Sequence, residues 1–133
     1  MQKQNKQKTI LVTVTGLLIV LASPAQANAP LMSQKQIAFH LALENPKKYA
    51  QNAIKAYNWD KSQYVCLSQL WGKESAWNYK ADNPTSSAFG IAQMLGEKAK
   101  HPKKQIDNGL RYIKHRYGNP CASWNYWKRH RWY

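Results

Sequence analysis

Six carboxylic acids stand against twenty lysines and arginines in this chain of 133 residues, and one of them, Glu74, extends an apolar stripe. Tyr64, Leu67, Leu70, Trp71 and Glu74 recur at steps of three and four, the spacing that brings side chains to one face of a helix. Apolar and aromatic neighbours disfavour the charged form of a carboxyl group and raise its pKa. A carboxylic acid still protonated near neutral pH is what the leaving oxygen of a glycosidic bond requires. The competing reading is a half-buried glutamate paired with a lysine or arginine, and helix position alone does not separate the two.

The residues after Glu74 favour the acid. Residues 76–87 are rich in turn formers, and such a loop can wall a cleft. Small residues in Ser86-Ser87-Ala88-Phe89-Gly90-Ile91-Ala92-Gln93 let a bulky ligand approach the backbone. Gln93 can offer both a donor and an acceptor to an N-acetyl group. Six tryptophans and eight tyrosines suit sugars, whose apolar faces pack on flat rings; Trp71 and Tyr64 themselves read as core. Asp82 is the one reasonable second carboxylate, and an Asx turn is its more ordinary role.

These groups need elements to hold them. Ser33 is placed to cap a helix through about Leu43, and Pro46 opens a second one reaching Tyr57. Asp60, with Gln63 three residues on, has the pattern of a capping box for the Glu74 helix. A short helix is expected over 88–95, and 96–104 reads as basic and irregular. Ile106, Leu110, Ile113 and Tyr117 mark an amphipathic helix closed by Gly118. Gly109 weakens that helix by about 1 kcal/mol relative to alanine. No strong alternating pattern predicts a sheet, so the expected fold is all-α with at most minimal β, in one compact domain.

Taken as a set, Glu74-Ser75, Ala81-Asp82-Asn83-Pro84 and Ser86-x-Ala88-Phe89-Gly90-Ile91-x-Gln93 resemble the signature of lysozyme-like soluble lytic transglycosylases. The ending is similar to the small secreted transglycosylase-like domains of Gram-positive bacteria, including aggregation-promoting-factor C-terminal domains. The resemblance spans residues 57–133 and implies a lysozyme-like domain there, with 28–56 as a helical or flexible lead. It implies Glu74 as the catalytic acid, with Ser75, Ser86, Gly90, Ile91, Gln93 and Tyr112 binding peptidoglycan glycan strands. The implied mechanism uses one acid and leaves 1,6-anhydro ends; hydrolysis by water stays open. Ser87 and Ala92 depart from the family pattern without removing a catalytic group.

The N-terminus adds an address. Lys3, Lys6 and Lys8 precede an apolar run from Ile10 to Ala22, and Ala25-Gln26-Ala27 has the small-x-small pattern of a cleavage site. Residues 1–27 therefore read as a signal peptide, with an uncleaved anchor as the alternative, and the product as secreted or wall-associated. Export brings oxidising conditions, which pair Cys66 with Cys121. No histidine stands at zinc-ligand spacing from either cysteine, and neither metal nor cofactor is expected. Removing three lysines leaves 17 basic against 6 acidic residues, a net charge of +11. Such a field attracts anionic wall polymers. It also suits rival readings: an inert cationic wall-binding or adhesion module, or a membrane-active protein through 127–133. Nucleic-acid binding is the weakest, since no recognised module accompanies the charge. A monomer without stable membrane insertion is expected.

Overall fold

A computed structural model describes residues 31–133, so the signal-peptide reading of 1–27 lies outside the described residues. Met32–Tyr133 form one compact unit. Its elements are α1 (Gln34–Glu44), α2 (Pro46–Ala53) running into a 3-10 turn (Ile54–Tyr57), α3 (Lys61–Ser75), β1 (Ala88–Phe89), β2 (Met94–Leu95), α4 (Pro102–Tyr117) and α5 (Pro120–His130). The protein is mostly helical, with a single two-stranded antiparallel sheet among the described residues.

Local chemistry sets the helix ends. Ser33 and Gln36 form a reciprocal capping box on α1, and Pro46 sits in the first turn of α2. Asp60 accepts from the Gln63 amide at 3.1 Å. The expected box at α3 stays half made, because the Gln63 side chain turns away to accept from the Cys121 amide at 2.9 Å. That bond joins α3 to the start of α5, beside the disulfide. Cys66 and Cys121 are bonded across these two helices, as the sequence predicts.

Leu67, Leu70 and Trp71 of α3 are fully buried against Ile106, Leu110 and Ile113 of α4. Ala42, Tyr49, Ala50 and Ile54 bring α1, α2 and the 3-10 turn into the same core. Gly109 stands where α4 passes Trp71: a Cβ there would come within 2.7 Å of the Trp71 ring and 2.8 Å of the Ala92 Cβ. The intrinsic helix penalty of this glycine is thus exchanged for close packing of α4 on the indole.

The expected helix over 88–95 does not form. Phe89 pairs with Met94 and Ala88 with Leu95, making a hairpin whose connection places Gly90 at φ +77° and Gln93 at φ 49°. The Ile91 amide, which a helix would use internally, donates to the buried Gln105 side chain of α4 at 3.0 Å. A tertiary partner has outcompeted local propensity. The stretch 96–104 is irregular only as far as His101, which caps α4.

Candidate active site

Glu74 lies in the last turn of α3, and the chain leaves that helix abruptly. Ala76 and Trp77 both adopt left-handed backbone, at φ 52° and 64°. This costs roughly 1–2 kcal/mol for each non-glycine residue. Burial of the Trp77 side chain holds the turn: its indole packs edge-on against Trp71 and donates to the Ser68 carbonyl at 3.2 Å. Asn78 and Asn83 then shape the loop, accepting from the amides of Lys80 and Thr85. The Asx turn therefore forms at Asn83, while Asp82 is exposed and bridges to Phe89 through its backbone.

The hairpin is brought to Glu74 by three side chains. Ser75 donates from its hydroxyl to the Ile91 carbonyl at 2.7 Å. Gln93 donates to the carbonyls of Ala81 and Gly90. Gln105, almost fully buried, accepts from Ile91 and donates to the carbonyls of Tyr79 and Ala99 at 2.9 and 2.8 Å. Gly90 is required beneath it, since a Cβ would lie 2.4 Å from the Gln105 amide carbon. The chain's tail closes the other wall: the Trp71 indole donates to Tyr133, whose hydroxyl donates to the Ala92 carbonyl, both at 2.8 Å.

The result is a cleft of about 370 Å³ lined by Glu74, Asn83, Gln93, Arg131, Trp132 and Tyr133, among others. Burial pushes the Glu74 pKa above its ordinary value, offset in part by the Trp127 indole. Its Oε1 is buried without a hydrogen-bond partner. The pairing with a basic residue is not made: among the described residues the ion pair present is Lys103–Asp107, away from the cleft. Among the described residues, no other aspartate or glutamate side chain lines the cleft.

Compared with known proteins, the chain matches no family model, no curated protein and no solved structure.

Of the residues expected to bind substrate, Gln93 and Tyr112 line cavities, Gln93 facing both the Glu74 cleft and an adjoining one that Tyr112 helps to form. Ser75, Gly90 and Ile91 are occupied inside the chain, and the Ile91 side chain is fully buried. These three position the wall instead of facing the cavity. Ser86 is exposed and accepts from the Ala88 amide. The sequence reading missed Gln105, although it shares the buried stripe of α4 with Pro102, Ile106 and Gly109. It also missed Arg131, Trp132 and Tyr133 as cleft walls; the density of aromatics near the tail was their only signal. Among the described residues, no three His, Cys, Asp or Glu side chains converge as a metal site would require. No described helix is long and apolar enough to cross a membrane.

Proposed function

We propose that the protein cuts the glycan strands of peptidoglycan between N-acetylmuramic acid and N-acetylglucosamine, with Glu74 as general acid and base. The observation that carries this reading is the Glu74 carboxyl: half-buried, without an ion-pair partner, one oxygen lacking a hydrogen bond, raised in pKa by burial, and the sole aspartate or glutamate among the described residues lining an aromatic-walled cleft. Burying such a group costs the fold stability, and carboxyls perturbed by desolvation in a cleft cluster at functional sites. The resemblance of Glu74-Ser75 and the 86–93 segment to lytic transglycosylases supports the same assignment.

The protonated Glu74 donates to the glycosidic oxygen as its bond to the muramic anomeric carbon breaks. The carboxylate then takes the proton of the muramic 6-hydroxyl as that oxygen attacks the same carbon, closing a 1,6-anhydro ring. Paired-carboxylate glycosidases keep a second carboxyl within about 5–10 Å of the acid. The lack of a second aspartate or glutamate side chain among the described cleft residues favours the intramolecular hydroxyl as nucleophile. The disulfide and the signal-like N-terminus support action outside the cytoplasm, on or near an anionic wall.

The test is mass analysis of products from purified peptidoglycan. Anhydro-ended muropeptides are expected from the wild-type protein and none from Glu74→Gln, which keeps the shape but has no acidic proton to give. Reducing ends would replace transglycosylation by hydrolysis. Wall binding without products would leave only the inert cationic module.

A further inference from the structure

The Glu74 cleft has a neighbour that shares its walls. A second cavity, also about 370 Å³, adjoins it through Gln93, Leu95, Trp132 and Tyr133. Tyr112 and Arg116 of α4 belong to this second limb alone. Trp132, half exposed, stands in the shared wall, with Arg116 on one limb and Arg131 on the other.

Arg116 is held but not neutralised. Its guanidinium lies 5.9 Å from the ring of Tyr112, 5.6 Å from Tyr117 and 5.3 Å from Trp132. Cation–ring attraction keeps the exposed Arg116 beside these rings, where its guanidinium can meet a planar anion. Among the described residues, no aspartate or glutamate side chain lines this limb and Arg116 has no ion-pair partner. A cationic fork, braced by three rings and opening into a cavity beside a sugar-sized cleft, matches a carboxylate in bidentate geometry.

We infer that the Arg116 limb is a subsite for a carboxylate carried by the glycan strand, so that acid-bearing muramoyl units are selected over neutral sugars. This rests on the proposed cleavage of glycan strands. The carboxylate has two sources, the lactyl group of an unsubstituted muramic residue and the acids of an attached peptide.

Binding is measured by calorimetry in a Glu74→Gln background, so that ligands persist. Three ligands of equal sugar length are compared: a peptide-free muramoyl oligomer, the same oligomer bearing its peptide, and a neutral chitin oligomer. Adding Arg116→Gln should weaken binding of at least one acidic ligand by roughly two- to fivefold, as loss of a solvent-exposed charge pair does. It should leave chitin unchanged. Loss confined to the first ligand assigns the lactyl acid; loss confined to the second assigns the peptide. Lys114→Gln removes the same charge from an exposed position of α4 that lines neither limb and should change nothing. Equal loss with Lys114→Gln, or unchanged acid binding with Arg116→Gln, overturns the subsite. Neither result bears on Glu74, whose reading fails if wild-type protein yields no cleavage products or if Glu74→Gln still yields them.

Discussion

The hydroxyl of Ser75 donates to the carbonyl of Ile91 at 2.7 Å, tying the end of the Glu74 helix to the hairpin that faces it. Sixteen residues separate the two partners in sequence, and the left-handed turn after Ser75 lies between them. The same hydroxyl also reaches its own helix at the Trp71 carbonyl, 3.4 Å away. Ser75 thus sets the distance between the acid and the opposite wall without touching the cleft itself.

Ser75→Ala should lower stability by about 1–2 kcal/mol, because the Ile91 carbonyl loses its donor in a partly buried place. For a domain of this size that is a fall in melting temperature of very roughly 4–15 °C. Cleavage should weaken too, with the products unchanged in kind. A variant as stable and as active as wild type would show that the tie is dispensable.

Glu74 makes a prediction that needs no substrate. Its pKa in the folded protein is raised above the ordinary 4.5 by burial, so the fold binds its proton more tightly than the unfolded chain does. The stability this represents is present below the unfolded pKa and lost as pH rises through the folded value. Glu74→Gln should therefore melt higher than wild type at neutral pH, and the difference should shrink on acidification. Cleavage should fall across the same rise in pH, as the acid form is depleted. A glutamine variant less stable at neutral pH would mean that the carboxylate is favourably held.

His101 should add the opposite slope. Its ring stacks on Phe39 of α1, and its Nδ1 accepts from the Lys103 amide at 3.2 Å, which requires the neutral imidazole. Burial, then Lys103 and His40, lower its pKa from 6.5. The folded form resists protonation, so this stability is present above the unfolded pKa and lost as pH falls through the folded one. His101→Asn keeps a capping acceptor that does not titrate. Melting temperature measured between about pH 7 and pH 5 should fall less in the variant. Identical slopes would remove His101 as the cause.

The disulfide should be a large share of the stability. Cys66 and Cys121 enclose a sequence separation of 55 residues, for which chain entropy gives about 4 kcal/mol. Folded domains of this kind hold only about 5–15 kcal/mol in total. Reduction should lower the melting temperature sharply and loosen α5, which carries Trp127 beneath Glu74. An unchanged melting temperature after verified reduction would contradict this.

Salt should separate capture from catalysis. If the +11 charge concentrates the protein on an anionic wall, pelleting with intact walls should weaken steeply as salt rises. The Debye length falls from about 8 Å at physiological strength to about 3 Å at 1 M. Cleavage of a short soluble fragment, governed by a half-buried carboxyl, should change less. A parallel decline of both, or pelleting indifferent to salt, would leave the charge with solubility alone.

What was legible in the sequence was what neighbours along the chain decide. The step of three and four put Leu67, Leu70, Trp71 and Glu74 on one helix face, and all but Glu74 are fully buried. Ser33, Asp60 and Gly118 end helices because caps satisfy backbone groups within a few residues. With two cysteines in all, the pairing followed once oxidising conditions were granted. Tertiary structure alone decided the rest. Gln105 binds groups 6 to 26 residues away, and by taking the Ile91 amide it favours a hairpin over the expected helix. The tail becomes a cleft wall because Tyr133 completes hydrogen bonds with Trp71 and Ala92, which lie 62 and 41 residues earlier. Periodicity reports which face of an element seeks the core, whereas partners so far apart in the chain are chosen by packing and by the need to satisfy buried polar groups.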